Sequence, residues 1–357
     1  MSFDFKKFAD QIEGRLNGHC GAYAFVVSYK SDWKVKRFMG KARTKYNPPL
    51  LNMSTSVRFH IASVSKAVSA AALLKLLNLR TDYKLDDPFH PLLPDHWHVH
   101  ESLRKVSFGQ LLSHTSGLPV SGYGYQSIKN RMAEGINTND IGTANYAGIN
   151  YGIIQLLIPR LAKMPVLQLN RSDSKAEILQ AAIYSGFYIS YVQNEVFKKA
   201  GLTKLHCKAL PFASGVCYHF PDKGKAGTDF GNQEELAASK GWVMSAEQMA
   251  KFFRVLRYTE NVLPFWLSKK MASDSLGYFG KGSTSEGVGC YWKNGGFPGS
   301  ENKGELNSLI IGYDNDVQVA LIINSELTNS KGMVGIINEA HDAAYKKTKR
   351  LVIKNDR

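Results

Sequence analysis

One serine and one lysine have the types and spacing to make a nucleophile. In Phe59-His60-Ile61-Ala62-Ser63-Val64-Ser65-Lys66, Ser63 stands three residues before Lys66, and the run on to Leu77 is mostly Ala and Leu. These are strong helix formers, and a helix that is apolar nearly all round belongs in a core. Residues three apart share one face of it. A lysine in the first turn of a buried helix opposes the helix dipole and loses its hydration. Both effects push its pKa down, towards a form that accepts a proton. A serine within reach is then a candidate nucleophile. Taken alone, S-x-x-K also has a bland reading, in which Ser63 only caps the helix and Lys66 snorkels to solvent.

Other chemistry-bearing residues are weaker signals. His96, His98 and His100 alternate as H-x-H-x-H and on a strand would share a face, as metal ligands can. The neighbouring Pro91, Pro94 and Asp95 favour irregular surface structure, and no carboxylate or cysteine completes a ligand set, so no metal or other cofactor is expected. His114, in a turn closed by Gly117 and Pro119, fits a hydrogen-bonded turn histidine as well as a catalytic one.

The elements that must position these groups follow from periodicity. Phe5, Phe8, Ile12 and Leu16 mark a helix over 3–16. Residues 22–29 and 33–40 read as a strand pair around Lys30-Ser31-Asp32. Tyr146 lies on a loop before a buried helix at Ile153–Ile158. Residues 189–200 read as a helix ended by Gly201. Ser245-Ala246-Glu247-Gln248 resembles a capping box that opens an amphipathic helix. Residues 287–292, 308–313 and 317–324 are strand candidates, the last two joined by Asp314-Asn315-Asp316, and Met333, Ile337, Ala340 and Ala344 mark a closing helix. Residues 163–187 and 203–236 carry no clear pattern. Strands at both ends with helices between them predict an α+β fold: a mainly antiparallel sheet built from both termini and flanked by helices, with a mostly helical insertion.

Length and composition bound the partners. The chain has 357 residues, 44% of them hydrophobic and 21% charged, which suits a globular protein with a sizeable core. The formal charge of +15 favours anionic ligands. Its basic residues are dispersed apart from Lys346-Lys347-Thr348-Lys349-Arg350, so nucleic acid is not an expected partner. Cys20, Cys207, Cys217 and Cys290 form no C-x-x-C, and the first ten residues show no apolar signal region. Free thiols and a cytoplasmic location are therefore expected. No membrane span is expected, because no apolar run nears ~20 residues.

Three strings together carry a resemblance. Ser63-Val64-Ser65-Lys66, Leu111-Leu112-Ser113-His114-Thr115-Ser116-Gly117-Leu118 and Lys293-Asn294-Gly295-Gly296-Phe297-Pro298-Gly299 resemble the serine β-lactamase-like superfamily, in the branch that holds class C β-lactamases, DD-peptidases and family VIII esterases. The likeness runs from about residue 5 to residue 345. It implies a sheet domain from 1–75 and 240–357, a mostly helical domain from 76–239, and an active site between them. It implies Ser63 as nucleophile, Lys66 as its proton partner and Tyr146 as the tyrosine of the Y-x-N motif. Lys293 matches the first residue of K-T-G or H-x-G, and Lys293, Gly295 and Gly296 would bind substrate. The backbone N–H groups of Ser63 and Gly296 would form the oxyanion hole, and the histidine of the Leu111–Leu118 string has a structural role in the family. Ser172-Asp173-Ser174 resembles the S-D-N of class A enzymes only loosely and follows Tyr146, so it is discounted.

The chain departs from the family pattern at Gly148, where the Y-x-N motif has its asparagine. That loss favours an ester over a β-lactam or peptide, whereas Lys at 293 suits carboxylate-bearing β-lactams and peptides. The expectation is a metal-free serine hydrolase, esterase- or peptidase-like, acting through a Ser63 acyl-enzyme on the ester, amide or β-lactam carbonyl of a small molecule, with anionic substrates among the candidates. An acyltransferase with the same site and a non-catalytic binding protein are the alternatives. Flanking positive charge from Lys66 and Lys293 is expected to lower the Tyr146 pKa, which leaves either Lys66 or Tyr146 as the base.

Overall fold

A computed structural model describes residues 3–120, 122–167, 169 and 173–345. The basic run at 346–350 and Ser172 lie outside them. Helix α1 (Phe5–Leu16) opens the fold, N-capped by the Asp4 carboxylate, which accepts from the Lys7 N–H. Strands β1 (Tyr23–Tyr29) and β2 (Asp32–Met39) follow. A short pair, β3 (Lys41–Arg43) and β4 (Leu51–Asn52), leads to β5 (Phe59–His60) and a single tight turn, Ala62–Val64. Helices α2 (Ser65–Leu79), α3 (Phe108–Leu112), α4 (Tyr125–Glu134), α5 (Ile149–Leu161) and α6 (Ser174–Val192) occupy the middle of the chain. The return consists of β6 (Val243–Met244), α7 (Ala246–Tyr258), α8 (Phe265–Ser273), β7 (Gly280–Ser283), β8 (Gly289–Phe297), β9 (Leu306–Tyr313), β10 (Val317–Ile323) and α9 (Gly332–Ala343).

The main sheet has the order β2-β1-β10-β9-β8-β7 and every pairing in it is antiparallel, so the termini meet in one sheet as expected. Its central strands are buried on both faces. On β1, Tyr23, Phe25 and Val27 pack with α1 and α9, while Ala24 and Val26 face the core that holds α2. That is the two-residue period of a pleated strand.

Several elements differ from the sequence expectation. The α-helix starts at Ser65, and Ser63 sits in the tight turn before it. Lys293 to Phe297 lie within β8 instead of between strands. The helix expected at 189 begins at Ser174. Its exposed side carries Ile178 and Leu179 as well as polar groups, so the polar–apolar contrast that marks a helix is missing. Strand β7 has little intrinsic strand propensity. It forms because a side chain at Gly280 would collide with the Trp292 ring, and glycine lets the edge strand close on β8. Finally, Ala62–Leu79 is long and apolar enough by composition to cross a bilayer, yet most of it is buried inside the fold. Its all-apolar surface matches a core helix enclosed on every side. The four cysteines are buried and free.

Candidate active site

Helix α2 carries three polar groups near its start, and all of them bind one segment of chain. Ser65 Oγ accepts from the Trp242 N–H at 3.1 Å, Ser69 Oγ donates to the Ala238 carbonyl at 2.7 Å, and Lys66 Nζ donates to the Ser239 carbonyl at 2.8 Å. Residues 238–242 are thereby laid along the helix. Pairing of β5 with β6 holds the same segment from the other end, through Phe59 opposite Met244 and His60 opposite Val243.

Between β5 and α2 the chain makes the turn that bears Ser63. Ala62 adopts φ +44, a left-handed backbone that costs an L-residue roughly 1–2 kcal/mol. Strand β8 holds the turn in place. Ser308 Oγ on β9 donates to the Ile61 carbonyl at 2.7 Å. A Cβ on Gly295 would stand 2.4 Å from that carbonyl oxygen and 2.8 Å from Ser63 N. Only a glycine lets the Ser63 backbone lie this close to β8. Strand β7 pairs with β8 only as far as Trp292, so residues 293–297 have no strand on that edge. Gly296 is on this stretch, one residue from the point where the Ser63 turn touches the strand.

Lys66 is buried, with Nζ 3.0 Å from Ser63 Oγ. Burial, and next the charge of Lys240, bring its pKa down to about 7. Lys293 is also buried, and its Nζ donates to Tyr146 Oη at 3.1 Å. Burial and then the Lys66 charge hold it well below the ordinary lysine value. The Tyr146 ring lies 4.2 Å from Lys293 Nζ and 5.1 Å from Lys66 Nζ. Its phenol behaves opposite to expectation: burial pushes it up to about 12, against the weaker pull of a hydrogen bond with Ser63. The same burial disfavours the charged forms of the two lysines that were expected to lower it. Desolvation therefore outweighs the cationic neighbours.

The turn after α3 fixes the Tyr146 loop. The His114 carbonyl accepts from the Asn145 N–H at 2.8 Å, and His114 Nδ1 accepts from the Ala147 N–H at 3.2 Å. Those contacts bracket Tyr146 on both sides, and the two rings are 4.5 Å apart. Burial and the nearby lysines press His114 down to about 2, so it stays neutral and its Nδ1 remains an acceptor. The motif that spans Leu111 to Leu118 thus positions the tyrosine. Of the H-x-H-x-H residues, His100 caps a short turn by accepting from the Ser102 N–H.

A family model described as beta-lactamase matches residues 8–344. The chain belongs to the β-lactamase family. Its structure is similar to that of the beta-lactamase/D-alanine carboxypeptidase from Yersinia pestis, with TM-score 0.69 and 16% identity over 94% of this chain and 97% of that one. It is also similar to the D-amino acid amidase from Ochrobactrum anthropi SV3 (TM-score 0.69, 15% identity, 94% and 98% covered). A third similar structure is the octameric penicillin-binding protein homologue from Pyrococcus abyssi (TM-score 0.67, 15% identity, 90% and 74% covered). At these identities the likeness is one of fold. No curated protein sequence matches the chain.

Against the β-lactamase-family pattern, the departure at Gly148 has a physical counterpart. A Cβ there would stand 2.1 Å from Tyr123 Cε1, so the Tyr123 ring occupies the space beside the Gly148 backbone. Tyr123, Ser239, Lys240, Ser308 and Phe279, whose ring centroid lies 4.9 Å from that of Tyr146, are residues around the site that sequence reading missed. Ser308 was marked only by being a small polar residue in the apolar strand Leu306–Tyr313, and Lys240 only by being a charge among Ala237, Ala238, Ser239 and Gly241.

Proposed function

We propose that this serine hydrolase cleaves an ester or small amide through an acyl-enzyme on Ser63, with neutral Lys66 as the proton acceptor. The observation that carries the reading is the 3.0 Å contact of Ser63 Oγ with a lysine amine whose pKa is near 7. A neutral Lys66 keeps one N–H on the Ser239 carbonyl and turns its lone pair to Ser63. Ser63 Oγ attacks the substrate carbonyl as its proton moves to Lys66, and the N–H groups of Ser63 and Gly296 receive the oxyanion. The Lys66 proton then passes to the leaving group, directly or through Tyr146. Water attacks the acyl-enzyme by the reverse path. A phenol near 12 is a poor base at neutral pH but a competent donor in that relay. The Tyr123 ring beside Gly148, where the family holds an amide-binding asparagine, supports an ester or compact amide over a peptide.

Hydrolysis of p-nitrophenyl esters, D-amino acid amides and nitrocefin, compared in wild type and Ser63→Ala, tests this directly. Turnover of an ester or amide should depend on Ser63. Its kcat/KM should rise through about pH 7, because Lys66 must lose its proton before it can accept another. Activity unchanged in Ser63→Ala, or a profile flat from pH 5.5 to 8.5, argues against the assignment (the pH limits follow from a unit or more either side of the Lys66 value).

A further inference from the structure

Lys240 is a cation beside Lys66 that the mechanism leaves unused. It follows Ser239, whose carbonyl holds Lys66, and its charge is felt at Lys66. Its Nζ lies 5.1 Å from the Tyr123 ring centroid and 5.3 Å from that of Phe297. Phe297 follows Gly296 directly and stacks on Phe230 at 4.3 Å, so it is a fixed wall. Lys240 is half-buried, and among the described residues its ammonium makes no hydrogen bond or ion pair. No carboxylate among the described residues pairs with Lys66, Lys293 or Lys240. A cation flanked by aromatic faces has part of its hydration replaced by the rings and still lacks an anionic partner. Lys293, by contrast, is deeply buried and already engaged with the Tyr146 hydroxyl.

We propose that Lys240, held between Tyr123 and Phe297 beside the Ser63 site, recognises a carboxylate on the acyl part of the substrate, while Lys293 serves Tyr146. The preferred substrate is then an ester or amide whose acyl chain ends in a carboxylate, with its apolar stem lying along the two rings. This rests on the hydrolase reading above for the acyl chain, but the binding of the carboxylate can be read without turnover.

The test pairs mono-p-nitrophenyl succinate, glutarate and adipate with the neutral p-nitrophenyl esters of equal chain length. In wild type the anionic ester of best length should be preferred, and the preference should weaken with added salt. Lys240→Met should cut the anionic-to-neutral ratio of kcat/KM by about tenfold or more, the loss of one charge-assisted contact. The ratio cancels any change in Lys66 titration. Lys240→Arg should restore the preference to within about threefold, since charge and reach are kept. The second arm measures binding of monomethyl glutarate and dimethyl glutarate to Ser63→Ala protein by calorimetry. The monoanion should bind about tenfold more weakly when Lys240→Met is added, and the diester should be unaffected. Turnover independent of Ser63 with charge-dependent binding retained would overturn the hydrolase reading and leave Lys240 as a carboxylate site. A ratio and a monoanion affinity both indifferent to Lys240→Met, or equal loss for both ester types in the Met and Arg variants, would overturn the proposal itself.

Discussion

Lys66→Met is expected to abolish hydrolysis and at the same time stabilise the protein. Removal of a general base at the reacting bond costs about a thousandfold in kcat/KM, and Met provides no other acceptor. The stability gain follows from the same burial. In the unfolded chain Lys66 keeps its proton up to about the ordinary 10.5, and in the fold it releases it near 7. Below about pH 7 the folded protein therefore carries the full cost of the buried group, on the order of 4 kcal/mol. The cost fades as pH rises towards 10.5, where both states are neutral. Methionine avoids it and fills a similar volume. It leaves the Ser239 carbonyl without its donor, which returns about 1–3 kcal/mol. A net gain of about 1–3 kcal/mol at pH 7, shrinking by pH 10, is the expected result of urea denaturation. A Met variant less stable than wild type at pH 7 would contradict a net cost of burying Lys66.

Gly295→Ala should lose about a hundredfold in kcat/KM in a protein that still folds. The added methyl would meet three atoms at once: the Ile61 carbonyl oxygen at 2.4 Å, Ser308 Oγ at 2.6 Å and Ser63 N at 2.8 Å. Two of these are backbone, so the turn itself must move. Ala62 already holds a left-handed conformation there, and the turn has little slack to absorb the shift. Displacing a nucleophile by even ~1 Å can cost about a hundredfold. Gly296 is the control, because a Cβ there meets nothing closer than 3.4 Å. Gly296→Ala with a loss equal to that of Gly295→Ala, or Gly295→Ala with wild-type kinetics, would contradict this account of the turn. Circular dichroism and the denaturation midpoint separate displacement from unfolding.

These two residues also show what the sequence made legible. The outer elements could be read because they contrast one face with another. Helix α1 buries Phe8, Ala9, Ile12 and Leu16 and leaves its other residues exposed or half-buried, and the sheet strands end at turn residues. Ser63 and Lys66 could be read because their chemistry depends on local spacing, and Lys293 and Tyr146 because they stand in recognisable strings. The structure brings these four together. Lys240 could not be read: its closeness to Lys66 arises from hydrogen bonds that lay residues 238–242 along α2, a contact between distant parts of the chain. The Tyr146 pKa was misjudged for a related reason. Sequence shows which charges are near but not how much water is excluded, and here exclusion decides the direction. The part of helix α6 before residue 189 escaped notice because Ile178 and Leu179 face solvent and blur its period. Its N-cap is Asp173, whose carboxylate accepts from the N–H groups of Lys175 and Ala176.

The central claim is that Ser63 is a nucleophile made reactive by Lys66. Its most direct measurement is intact-protein and peptide mass spectrometry after treatment with a fluorophosphonate at pH 8. Wild type should gain a single adduct on the peptide that contains Ser63. Lys66→Met should gain it far more slowly, and Ser63→Ala should gain none there. Equal labelling of wild type and Ser63→Ala, or an adduct located on another residue, would contradict the account.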